Sequence, residues 1–91
     1  MTEKSIESRL IKKVEKLEGL ALKFTSPGMR GVPDRIVLLP GGKIIFVELK
    51  NGQDGKLSEI QNFRINQLMN LDFRVEIIDS AEGVDDFING L

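Results

Sequence analysis

Asp34, Glu48 and Lys50 are the residues of this chain whose types and spacing could do chemistry. Asp34 stands in Gly31-Val32-Pro33-Asp34-Arg35, at the head of the apolar run Ile36-Val37-Leu38-Leu39, and Glu48 and Lys50 close the run Ile44-Ile45-Phe46-Val47-Glu48-Leu49-Lys50. Both runs read as strands buried on both faces. A carboxylate and an ammonium two residues apart on a strand project from the same face, and Phe46 and Ile44 continue that face backwards. Burying charge there is costly unless it is paired or binds a metal. If Asp34 lies beside Glu48, the two carboxylates repel and one tends to protonate, unless a cation sits between them. Mg²⁺ is satisfied by one or two protein carboxylates and several waters, and the Leu49 carbonyl is a further oxygen in reach. Such an ion polarises a phosphoryl oxygen and generates a hydroxide nucleophile. Lys50 would then orient or deprotonate the water, or stabilise the developing charge. The chemistry this points to is metal-assisted hydrolysis.

What the chain lacks narrows the choice. It has no cysteine and no histidine. A disulfide framework, a thiolate or imidazole zinc site, and Ser-His-Asp or Cys-His catalysis are therefore excluded. A metal here must be held by oxygen, which favours Mg²⁺, with Mn²⁺ as its substitute. Ninety-one residues correspond to one domain, residues 1–91, and 41% hydrophobic with 30% charged residues fits a globular chain. No apolar stretch approaches the ~20 residues of a membrane helix, and the N-terminus lacks a signal-peptide core. The expectation is a soluble, cytoplasmic protein that does not bind membranes. A net charge of −1 argues mildly against a nucleic-acid binder, although a divalent ion would neutralise several carboxylates. The basic residues can still form a local patch, but Lys12, Lys13 and Lys16 read first as a solvated helix face.

The elements that must position these residues alternate compactly. Ile6, Leu10, Val14 and Leu17 are spaced for one face of a helix over 3–18, with Gly19 as its stop. Leu20–Thr25 reads as a strand, with Leu20, Leu22 and Phe24 alternating against Ala21 and Lys23. Residues 26–31 form a loop, Arg35–Leu39 a strand, and Pro40-Gly41-Gly42 the turn of a hairpin into the third strand. Asn51–Leu57 is a loop, Ser58–Leu71 a helix, Val75–Ile78 a strand, and Ala81–Ile88 a helix capped by Ser80. The segment from the third strand through the second helix is long enough for a parallel crossover. The hairpin register bears on the site. A two-residue Gly41-Gly42 loop pairs Leu39 with Ile44 and puts Asp34 and Glu48 on opposite faces. A three-residue loop pairs Leu39 with Lys43 and Asp34 with Glu48, and proline followed by glycine suits a type I turn with a left-handed residue after it. The fold class is α/β, with a mixed central sheet flanked by helices in the order helix, three strands, helix, strand, helix.

Gly31-Val32-Pro33-Asp34-Arg35, a Gly-Gly hairpin, Glu48-Leu49-Lys50 thirteen residues beyond the Asp-Arg step and a Ser58-x-x-Gln61 helix start together resemble the VRR-NUC (virus-type replication-repair nuclease) domain of the PD-(D/E)xK superfamily. The resemblance covers nearly the whole chain and implies a restriction-endonuclease-like core with metal-dependent cleavage of DNA phosphodiesters. On it, Asp34 and Glu48 match the metal ligands, Lys50 the catalytic lysine, Glu7 the first-helix glutamate that completes the metal site, and Gln61 a supporting glutamine. It also implies a homodimeric, phage-type endonuclease acting on branched DNA such as four-way junctions, and leaves room for replication or helicase partners. Lys23, Ser26, Arg30 and Arg35 are candidates for DNA contact at the rim, and Phe87 and Ile88 for a dimer interface or the core. Each residue has a blander reading. Pro33-Asp34 is an ordinary strand entry, Glu48 and Lys50 an ion-paired strand end, and Ser58-Glu59-Ile60-Gln61 a capping box. The alternatives are a non-catalytic DNA-binding or assembly module, and a nicking nuclease or exonuclease without branch preference.

Overall fold

The computed structural model describes residues 2–51 and 55–91. Seven elements follow one another: α1 (Glu3–Lys16), β1 (Leu20–Lys23), β2 (Arg35–Leu39), β3 (Lys43–Leu49), α2 (Glu59–Asn70), β4 (Arg74–Ile78) and α3 (Ala81–Asn89). This is the expected element order. Residues 52–54 of the loop expected over Asn51–Leu57 lie outside the described residues.

The four strands form one sheet in the order β1-β2-β3-β4. β1, β2 and β3 are antiparallel neighbours, and β4 joins β3 in parallel through the α2 crossover. The sheet is therefore mixed, because only the last connection is long enough to return a strand in the same direction. Leu39 pairs with Lys43 and Arg35 with Val47. That is the register of the three-residue loop, and its continuation brings Asp34 opposite Glu48. The turn itself differs from the type I expectation: Gly41 and Gly42 both have positive φ, at 89° and 77°. A positive φ at the second turn position after proline is the type II pattern, which only glycine adopts without strain.

One sheet face carries the core. Ile6, Leu10 and Val14 of α1 and Val84 and Phe87 of α3 pack on Val37, Ile45, Val47, Leu49 and Ile78. The 3–4 spacing on the helices and the period of two on the strands select these residues. Phe87 thus belongs to the core, with Ile88 packed against it, which removes both from the dimer-interface candidates. The other face carries Phe46, whose ring meets Phe24 at 5.7 Å and Phe73 at 5.4 Å between centroids. α2 lies on this side and covers only part of it. Leu20, Leu22 and Ile44 remain exposed, while Ala21 turns to the core.

The end of α1 corrects a second expectation. Glu18, not Gly19, takes the left-handed conformation, at φ 63°. Gly19 serves a different purpose: a Cβ there would stand 2.6 Å from the Leu38 carbonyl oxygen. The glycine lets the chain leave the helix pressed against β2.

Candidate active site

The site forms where β2 begins and β3 ends. Asp34 precedes the first residue of β2, and its Oδ2 accepts the Leu49 amide at 2.9 Å. Glu48 is next to last in β3, and its side chain shares the Phe46 face of the sheet. Lys50 follows immediately, with its amide bonded to the Ile78 carbonyl at 2.9 Å, so β4 fixes the point from which its side chain departs.

α2 delivers the fourth residue. Ser58 caps the helix and Gln61 completes a capping box. The Gln61 Oε1 accepts from the Ser58 amide at 2.9 Å and from Lys50 Nζ at 3.0 Å, while its Nε2 donates to Glu48 Oε2 at 2.8 Å. Lys50 Nζ lies 3.6 Å from the same Glu48 oxygen. One amide therefore completes the cap and also contacts Lys50 and Glu48.

Electrostatically the centre is a buried, under-neutralised carboxylate. Glu48 is 2% exposed and is the buried charged residue of the interior among the described residues. Burial pushes its carboxyl up to about 7, the Asp34 charge pushes the same way, and Lys50 opposes both. Its Oε1 is buried with no hydrogen-bond partner. A buried, unpartnered carboxylate oxygen beside a second carboxylate fits a hard divalent cation, which would supply the missing partner. Asp34 and Glu48 are the side chains that would hold it.

Not every expected residue joins this group. Glu7 is engaged elsewhere: its Oε2 accepts from Arg35 Nε at 3.1 Å. Arg35 alternates to the opposite strand face from Asp34, toward α1, and also donates to the Ala21 carbonyl at 3.0 Å. Its side chain is 14% exposed, so it is an internal tie and not a residue of the rim. Among the described residues no cluster of three or more acidic ligands is assembled. Lys23 and Arg30 are exposed, and Ser26 is half-buried with its carbonyl accepting from the Met29 amide at 3.0 Å.

Sequence reasoning overlooked the device that seats α2. Gly31 has φ 82°, and a Cβ on it would lie 2.6 Å from the Ile60 carbonyl oxygen. Arg64 Nε donates to the Arg30 carbonyl at 3.0 Å. Both contacts lock the helix carrying Gln61 to the loop that leads into Asp34. The glycine of the Gly31-Val32-Pro33-Asp34 turn was the available signal, since a left-handed position in a loop wants glycine.

Comparison with known proteins follows this geometry. No family model matches the chain. Over 48 residues it is 65% identical to "Putative nuclease p44" of Acyrthosiphon pisum secondary endosymbiont phage 1, a match that takes in 53% of this chain and 52% of that protein. The chain thus spans about half the length of that relative. A solved structure described as a VRR_NUC domain superposes with a TM-score of 0.91 at 29% identity, covering 98% of this chain and 97% of the other. A second, described as a VRR_NUC domain protein, gives 0.72 at 14% identity over 98% and 86%, a likeness of fold.

Proposed function

Proceeding from a chain that is a VRR-NUC domain, a nuclease domain in its fold and its likeness to a phage nuclease, we propose that it is a divalent-metal-dependent DNA endonuclease acting on branched DNA such as four-way junctions. The observation that carries this reading is Glu48: buried beside Asp34, with one oxygen unpartnered and the other tied through Gln61 to Lys50. A buried charge of this kind costs stability unless it serves a ligand.

In the proposed mechanism a bound Mg²⁺, or Mn²⁺ in its place, supplies Lewis-acid polarisation of the scissile phosphoryl group and neutralises the two carboxylates. Asp34 and Glu48 would hold the ion, with the Leu49 carbonyl as a further oxygen next to Glu48. Gln61 keeps the Lys50 ammonium beside Glu48. From there Lys50 orients the attacking water and stabilises the developing charge on the phosphoryl oxygens. In-line attack leaves a 5′-phosphate and a 3′-hydroxyl. Lys23, Ser26 and Arg30 are the rim residues placed to meet the DNA backbone. Glu7 joins the ligand set only if Arg35 releases it. The enzyme would work as a homodimer in the cytoplasm of a bacterial or phage-infected cell, with replication or helicase proteins as partners.

The test is cleavage of a labelled four-way junction and a linear duplex, with Mg²⁺, Mn²⁺ or EDTA, by wild type and Lys50→Ala. Expected is metal-dependent cutting, faster on the junction, that falls roughly 100- to 1,000-fold in Lys50→Ala. Equal rates on both substrates would leave a nuclease without branch preference. A folded wild type that binds DNA and cuts nothing would turn the reading to a non-catalytic DNA-binding module.

A further inference from the structure

The outer side of α1 is charged in a way that the fold does not need. Ser5, Ser8, Arg9, Lys12, Lys13 and Lys16 line a shallow groove of about 430 Å³ along it. At 3.6 residues per turn these cations share one side; Glu3 and Glu7 fall opposite, Glu15 stands at the edge three residues from Lys12, and Lys4 lies off the stripe. No glutamate of the helix has a basic residue three or four positions further on, the arrangement that stabilises a helix. Instead Arg9 and Lys13, and Lys12 and Lys16, form like-charge pairs four apart, which destabilise it. The helix dipole accounts for Lys13 and Lys16 in the last turn, but not for Arg9 and Lys12. Asp85 of α3 neutralises part of the stripe, pairing with Arg9 at 2.9 Å and Lys13 at 3.1 Å. Lys12 and Lys16 have no ion-pair partner among the described residues and are exposed. In a chain of net charge −1, this is a concentrated cationic face.

Its position is informative. α1 packs on the core face of the sheet, behind the strand ends that carry the site; its Glu7 meets Arg35, the residue after Asp34, and the chain leaves it where Gly19 presses on Leu38. From Ser5 to Lys16 the stripe runs about 17 Å, the length of about five base pairs of one strand. It lies on the side of α1 away from Glu7 and from the sheet. We propose that this stripe binds the phosphate backbone of a DNA arm flanking the cleaved phosphodiester, an inference that rests on the nuclease reading for its ligand. Charge complementarity selects phosphate, and the hydroxyls of the groove add donors for its oxygens.

The experiment measures affinity by fluorescence anisotropy in EDTA, across a range of KCl concentrations. The probes are labelled junctions with arms shorter and longer than about five base pairs. Wild type is compared with Lys12→Gln/Lys16→Gln, and with Lys43→Gln on the hairpin as a single-charge control; circular dichroism confirms folding. Expected is that the double variant lowers the slope of log K against log salt by about 1.8, with an affinity loss on the order of tenfold, on long arms and not on short ones. The control stays within one contact's worth of the wild-type slope on both. An unchanged slope in the double variant overturns the proposal, even where wild type cuts DNA normally. A wild type that binds long arms through Lys12 and Lys16 yet cuts nothing with any metal upholds it and sinks the nuclease reading instead. A wild type that binds neither probe overturns the proposal, and the nuclease reading is then decided by the metal-dependent cleavage assay alone.

Discussion

Gln61 shows how one residue can answer to two readings, a helix cap and a neighbour of Lys50 and Glu48. The spacing Ser58-x-x-Gln61 announces a capping box, and a cap is a sufficient reason for a glutamine there. Nothing local says that the same amide also meets Lys50 and Glu48, because those contacts depend on where α2 lands on the sheet. Asp34, Glu48 and Lys50 were readable for the opposite reason, since charges that interrupt buried strands need an explanation. Glu7 meets Arg35 and not the two carboxylates because strand alternation sends Arg35 toward α1, a contact that sequence spacing does not reveal. At this scale the orphan oxygen of Glu48 makes a direct prediction. Mg²⁺ or Mn²⁺ at a hundred times its Kd should stabilise the folded chain by about 2.7 kcal/mol, read as a rise in Tm of roughly 10 °C or more for a chain of this size. Glu48→Gln should lose that rise while remaining folded, as followed by a thermal-shift titration. An equal rise in both proteins would mean that the ion binds elsewhere.

The elements were legible in order and type, and less so in their joints. Buried strands, an amphipathic first helix and a proline-glycine turn are written in periodicity and turn residues. The close approaches are not: Gly19 against Leu38 and Gly31 against Ile60 are demands of packing partners far away in sequence. The docking of α3 on α1 was likewise hidden, because Arg9 and Asp85 lie 76 residues apart. Their bidentate pair, at 3.0 and 2.9 Å, together with Lys13, holds the Asp85 carboxyl down at about 2 from the ordinary 3.8. A carboxyl with a folded value below its unfolded one contributes stability that is present above about pH 4 and lost as pH falls toward 2. Asp85→Asn should therefore unfold at a lower temperature than wild type at pH 5 to 7, by a margin that narrows between pH 4 and pH 2. A gap independent of pH would assign the effect to packing and not to charge. Because the pair is partly open to water, the margin should also shrink in high salt.

The molecule as a whole has one finished face and one unfinished. α1 and α3 close the core side, while across the sheet a row of Leu20, Leu38 and Ile44 adjoins a row of Leu22, Ile36, Phe46 and Val75. Leu20 is 54% and Ile44 43% exposed. Leu20, Leu22 and Ile44 are exposed together on this face, so if the chain self-associates, this is the apolar patch for a second copy to cover. Sequence alone presents Leu20 and Leu22 as good strand residues and cannot say which side of a sheet a helix will leave bare. Ile44→Lys, at an exposed position, should cost the monomer little, within about 0.5 kcal/mol, and weaken self-association measured by sedimentation. A wild type that sediments as a monomer at the same concentrations removes the homodimer from the reading. No helix among the described residues is long and apolar enough to cross a membrane.

The three-residue turn between β2 and β3 has a consequence for the order in which the chain assembles. Short loops close at the least entropic cost, so this hairpin is favoured to form ahead of the parallel pairing that waits on α2. Asp34 and Glu48 are then brought side by side before Gln61 arrives to donate to Glu48. The repulsion therefore acts on the early hairpin as well as on the folded chain, where the Asp34 charge still pushes the Glu48 carboxyl up, so such a site slows folding in addition to costing stability. On the proposed metal reading, divalent ions present during synthesis would neutralise both carboxylates at that early step and act as a folding aid.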